Sequence, residues 1–145
     1  MSHGGEPAPA PLASPAGVLG RRLVVAALLA AAAGCPPAVA AAAETVLLVM
    51  TEYRFTPDHL AFRQGVAYRL VMENRGKELH EFTAPAFLAS ITLANPDVLA
   101  TGGKEVVVRP GERKELRFVP LRPGRYPMAC ADHDWAGMVG EIVIS

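Results

Sequence analysis

Gly124 to Ser145 reads GRYPMACADHDWAGMVGEIVIS, and the order of its side chains decides how the rest of the chain is read. Tyr126, Met128 and Cys130 alternate with Arg125 and Pro127, as a strand with a side-chain period of two requires. Cys130 therefore turns inward at the end of that strand, where a thiolate is shielded from oxidation. Asp132 to Gly137 form a loop and Met138 opens the final strand. Such a turn brings its two ends back to one point, so a thiol at Cys130, an imidazole at His133 and a thioether at Met138 can converge.

A soft thiolate, a borderline imidazole and a weak thioether together suit copper, in a His₂Cys site with a long axial Met. The expectation is one Cu(I)/Cu(II) ion per chain. One ligand is missing, and His80 is the candidate by elimination: His3 lies in the N-terminal segment and His59 in the polar turn Pro57-Asp58-His59. Taken singly, each residue has a plainer reading: a buried thiol, a surface histidine, a core methionine. Their joint spacing is what points to a metal. Zinc from one Cys and two His is chemically possible but leaves Met138 without a purpose. Met50, Met72 and Met128 follow strand alternation and read as core.

The chain has 145 residues, 51% of them hydrophobic, but two unlike parts share that figure. Residues 1–43 are rich in Ala and Pro and read as a disordered N-terminus followed by a cleavable signal peptide. Arg21-Arg22 and the apolar run Leu23 to Ala33 supply the n- and h-regions, and Ala38-Val39-Ala40 or Ala41-Ala42-Ala43 the cleavage site. Ala32-Ala33-Gly34-Cys35 also resembles a lipoprotein box, and the twin Arg a Tat signal. A membrane anchor is disfavoured because Pro36-Pro37 stops the run short of the ~20 apolar residues a span needs. Residues 44–145 then form one domain of about 100 residues with a single core. The expected location is periplasmic, with membrane attachment only through a lipid at Cys35.

With Cys35 in the leader, the exported domain keeps one cysteine and no internal disulfide. A lone thiol in an oxidising compartment has to be buried or bound to metal. Net charge is formally zero, and from Glu44 onward 12 basic residues stand against 13 acidic ones. That balance argues against a nucleic-acid surface or a polybasic membrane patch.

From Glu44 the pattern is strands broken by turns. Thr45 to Met50, continued by Tyr53 to Thr56 as far as a turn, Leu60 to Phe62 and Val66 to Glu73 come first, then Leu79 to Phe82 after the turn Asn74 to Lys77. Glu105 to Arg109, Glu115 to Val119 and Glu141 to Ile144 complete the set with the strand before Cys130. About seven or eight short strands predict an all-β, antiparallel sandwich or barrel. Residues 84–101 read as a short helix or irregular insertion, with Thr83 as its cap and Pro85 in its first turn.

Gly124, Tyr126, Cys130, His133, Gly137, Met138, Gly140 and Ile142 stand at the spacing Gly-x-Tyr-x-x-x-Cys-x-x-His-x-x-x-Gly-Met-x-Gly-x-Ile. That pattern resembles the copper-binding signature of the plastocyanin-like cupredoxins, the small blue type 1 copper proteins. Phe55, Pro57, Leu60, Gly65, Asn74 and His80 resemble the family's N-terminal half. The resemblance implies a Greek-key β-sandwich with a mononuclear type 1 copper, His80, Cys130 and His133 as equatorial ligands and Met138 as the axial one. Two positions depart from the family: Asp132 stands where Pro is common before His133, and Glu81 where plastocyanins typically have an Asn that ties the ligand loops together.

The expected function is one-electron transport, with the ring edge of His133, flanked by Trp135, Ala136 and Gly137, as the electron port. A small apolar patch there suits the short-lived docking of a redox partner such as a cytochrome or oxidase. The alternative is a periplasmic copper chaperone or resistance protein, whose partner is a copper-handling protein. The protein is expected to act as a monomer. An enzyme is disfavoured, because there is no His-Cys-His tripeptide, no second Cys for a dinuclear centre and no Ser/His/Asp set.

Overall fold

Glu44 to Met50 lie alongside Tyr68 to Asn74 in register, residue for residue, and both segments run in the same direction. This parallel pair is the spine of one of two five-stranded sheets in the computed structural model, which describes residues 42–145. In chain order the strands are β1 (Glu44–Thr51), β2 (Arg54–Thr56), β3 (His59–Phe62), β4 (Tyr68–Asn74) and β5 (His80–Thr83). Then follow the helix α1 (Pro85–Leu88), β6 (Ile91–Leu93), β7 (Glu105–Val108), β8 (Arg113–Pro120), β9 (Gly124–Ala129) and β10 (Val139–Ile144). The sheets have the orders β2-β1-β4-β8-β6 and β3-β10-β9-β5-β7. The protein is an all-β sandwich.

Two features differ from the sequence expectation. The described residues hold ten strands rather than seven or eight, because the first apolar stretch divides at Tyr53, whose φ is 60°, and because Ile91–Leu93 adds β6 beside β8. The sheets are also mixed rather than antiparallel: β1 pairs with β4, and β10 with β3, in parallel. Alternation reports which face of a strand is buried, and it carries no information about strand direction.

The insertion after β5 contains a helix, as expected, but Thr83 does not cap it. Thr83 ends β5 with its hydroxyl 3.2 Å from a Glu105 carboxylate oxygen, and Ala84 takes the cap position before Pro85. The helix seats Phe87 in the core among Phe62, Phe82 and Phe118, with ring centroids 5.8, 6.3 and 5.3 Å away. Asn95 then imitates a strand partner: its amide donates to the Glu115 carbonyl at 2.8 Å and its oxygen accepts the Arg117 N–H at 2.8 Å.

The core lies between the sheets. Leu48, Met50, Leu70, Met72 and Leu116 fill it from one side, and Phe82, Val106, Val108, Met128 and Ile142 from the other. Each such side chain contributes about 1.5–3 kcal/mol by leaving water. Gly140 is required where β10 meets β3: a Cβ there would lie 2.3 Å from the Asp58 carbonyl oxygen and 2.4 Å from Met128 Cε. The expected leader, all but the last two residues of its second cleavage site, and the Cys35 lipid box fall in residues 1–41, outside the described residues. Among the described residues no helix is long and apolar enough to cross a membrane.

Candidate metal centre

Thr83, the last residue of β5, pairs antiparallel with Ala129, the last of β9, so the residues before Thr83 run beside those after Ala129 and bring His80 and Glu81 to Cys130. The loop after Cys130 is closed by its own backbone. His133 N–H donates to the Cys130 carbonyl at 3.1 Å, Met138 N–H to the His133 carbonyl at 3.2 Å, and Cys130 N–H to the Met138 carbonyl at 3.0 Å. Gly137, with φ at 89°, supplies the left-handed turn that returns the chain. Met138 completes this loop, and β10 begins at Val139, one residue later than the sequence pattern places the strand.

The three nitrogen and sulfur donors meet. Nδ1 of His133 lies 3.3 Å from Cys130 Sγ, and Nδ1 of His80 lies 4.0 Å from it. All three ligand atoms fall within 4.8 Å of one another. His80, Cys130 and Met138 are fully buried, and the His133 side chain keeps 12% of its surface exposed. His59, set aside in the sequence, is remote in character: it opens β3, is exposed and pairs with Asp58.

The electrostatics suit a metal ligand set. Burial holds the His80 imidazole below its ordinary pKa, and the neighbouring His133 adds to the effect, so the ring is neutral and its lone pair available. Burial pushes the Cys130 thiol up, partly offset by the Glu81 N–H that points at its sulfur from 3.4 Å. A cation beside the sulfur reverses that balance, since a coordinating thiol gives up its proton. His80 Nε2 is buried without a partner, facing the turn at Gly76, where a Cβ would come within 3.1 Å of it.

Glu81 does what the sequence left open. Its carboxylate accepts the Asp132 N–H at 3.1 Å while its own N–H serves Cys130, so one residue ties the two ligand-bearing segments together. Burial, then the charge of Asp132, raises its carboxyl pKa above the ordinary value.

The surroundings of His133 were not legible beforehand. Glu78 Oε2 lies 2.9 Å from Nε2, and the Tyr53 ring meets the imidazole edge-on at 5.2 Å. The expected bare apolar edge is therefore covered by a carboxylate and a phenol. Trp135 is the exposed aromatic, with 77% of its surface open and its indole N–H held by the Asp132 carbonyl at 2.9 Å. Glu78 could have been suspected from its place two residues before His80. Tyr53 gave no signal, because its position depends on a left-handed backbone that its residue type does not announce.

The cupredoxin-like domain family matches residues 24–144. The chain belongs to that family. Among solved structures, this cupredoxin is similar to auracyanin B, with 18% identity, a TM-score of 0.54, and coverage of 71% of this chain and 89% of that one. Dithionite-reduced auracyanin from Roseiflexus castenholzii gives 13% identity and a TM-score of 0.54, covering 72% and 98%. The copper nitrite reductase of Nitrosomonas europaea gives 13% and 0.55, but this cupredoxin spans only 50% of that chain. At such identities the likeness is one of fold. No curated protein matches the sequence. The cupredoxin fold and the His-Cys-His-Met donor set together suit one copper ion per chain.

Proposed function

We propose that this cupredoxin is a periplasmic type 1 copper protein that carries single electrons between redox partners, and that His80, Cys130, His133 and Met138 would hold the copper. Bound copper supplies the chemistry, alternating between Cu(II) and Cu(I). The chain holds the donors in place for both states. The observation that carries this reading is the convergence of two Nδ1 atoms on one buried sulfur, on loops fastened by backbone hydrogen bonds and by Glu81. A site fixed in this way reorganises little when one electron arrives or leaves. The partner, a cytochrome or oxidase, is proposed to dock transiently on the face that presents Trp135 and Tyr53. The cupredoxin has no catalytic role in this proposal and acts as a monomer.

The alternative, a copper chaperone or resistance protein, has to surrender its metal to a copper-handling partner. Enclosure of the donors argues against it, because three of the four proposed ligands are fully buried. Voltammetry of the copper-loaded protein, followed by incubation with a competing copper chelator, separates the two. A reversible one-electron wave with copper retained for hours is the carrier's result. Absence of a reversible wave, with copper lost to the chelator within minutes, would be the chaperone's.

A further inference from the structure

The two histidines of the site differ on their far sides. His80 turns Nδ1 toward Cys130 and leaves Nε2 buried with no partner. His133 turns Nδ1 toward the same sulfur and sets Nε2 against the Glu78 carboxylate at 2.9 Å. A neutral imidazole that uses Nδ1 as a ligand carries its proton on Nε2, so His133 donates and Glu78 accepts. We propose that Glu78 is a positioning residue of the copper site. It fixes the tautomer and ring angle of His133 and, by its charge, favours Cu(II) over Cu(I). The proposal rests on His133 being a copper ligand.

The surroundings of Glu78 show that it is held rather than merely nearby. Asn74, which is buried, donates to the Glu78 carbonyl at 2.7 Å and to the Val108 carbonyl at 2.8 Å. The same side chain accepts the Gly76 N–H at 2.9 Å, and the Lys77 N–H is taken by the Glu52 carboxylate. The turn 74–78 is thereby fixed to β7 and to the turn that follows β1. On the other side Tyr53, a bulky residue at φ 60°, presses its ring edge-on to the imidazole. A strained residue and the carboxylate of a residue whose backbone is anchored meet one ring, and strain of this kind persists where the surroundings enforce it.

A carboxylate on the outer nitrogen strengthens an imidazole as a donor to the metal, and losing such a partner typically costs 10–100-fold in affinity. Glu78 is about half-exposed, so the lower end applies. Glu78→Gln keeps the shape and removes the charge. It is expected to weaken Cu(II) binding about tenfold while leaving Cu(I) affinity nearly unchanged, a rise of about 59 mV in reduction potential for one electron.

The test measures the potential and both copper affinities of the wild-type protein, Glu78→Gln and Asp134→Asn. Asp134 is an exposed acid next to His133 in sequence but makes no hydrogen bond to its ring. A rise confined to Glu78→Gln supports the proposal. No change in Glu78→Gln, or an equal rise in both variants, overturns it, the second because general charge would then suffice. Proton NMR of the wild-type Cu(I) form gives an independent check. A slowly exchanging His133 Nε2–H is expected, and one that exchanges as fast as an exposed imidazole proton contradicts the hydrogen bond. A wild-type protein that loads Cu(II) without thiolate-to-copper absorption would overturn the copper ligation itself, so the two failures are told apart.

Discussion

Glu81 illustrates how one residue carries two duties at the site. Its backbone serves the Cys130 sulfur and its side chain serves the loop that bears His133. Glu81→Ala should keep the first and lose the second. The expected cost is about 1 kcal/mol in urea unfolding of the metal-free protein, with faster copper release into a chelator. A second residue-scale expectation concerns pH. The Asp58 carboxylate, by its hydrogen bond and then its charge, raises the His59 pKa above 6.5, and His59 lowers that of Asp58 below 3.8. The His59 contribution to stability is full below 6.5 and fades as pH rises through its elevated value. The Asp58 contribution is present above 3.8 and is lost as pH falls through its depressed value. NMR titration should give a His59 midpoint above 6.5 that drops in Asp58→Asn. A midpoint that ignores this substitution would contradict the pairing. At this scale His80 was reached by elimination, and the meeting of Cys130 and His133 was legible because donor chemistry and spacing are properties of the sequence. Glu78 and Tyr53 were not, because their contacts with His133 arise from turn geometry and a left-handed backbone.

At the scale of elements, the strands were readable and their directions were not. The faces of β4 follow directly from Tyr68, Leu70 and Met72 alternating with Arg69 and Glu73. Its parallel partnership with β1 follows from the chain crossing to the other sheet through β3 before returning, which no local pattern encodes. The parallel contact of β10 with β3 depends on Gly140. Gly140→Ala forces a methyl into the space of the Asp58 carbonyl oxygen and Met128 Cε, and β10 must move. Overpacking of this kind costs typically 1–3 kcal/mol. Since β10 follows Met138 directly, denaturation curves of Gly140→Ala should show that loss together with weakened copper binding. An unchanged midpoint would mean that β3 and β10 yield more readily than their backbone contact implies.

For the molecule as a whole, the site depends on the two sheets holding their distance. Phe87, delivered by the insertion after β5, sits between them against Phe62 and Phe118. Phe87→Ala should remove about 3–5 kcal/mol, a large part of the ~5–15 kcal/mol that holds a domain of this size folded. Calorimetry checks this, with copper-loaded protein recovering part of the loss because the metal binds only the folded chain. The insertion looked irregular in the sequence because its anchors, Phe87 and the side chain of Asn95, act singly and leave no periodic trace.

The central claim at all three scales is the proposed ligation of one copper ion by His80, Cys130, His133 and Met138. The most direct measurement is the combined visible and EPR spectrum of the Cu(II)-loaded protein, taken beside Cys130→Ser. An intense thiolate-to-copper absorption with the EPR signature of a covalent copper–sulfur bond, both lost in Cys130→Ser, is the result predicted. A colourless Cu(II) complex, or a spectrum that survives removal of the sulfur, would contradict it.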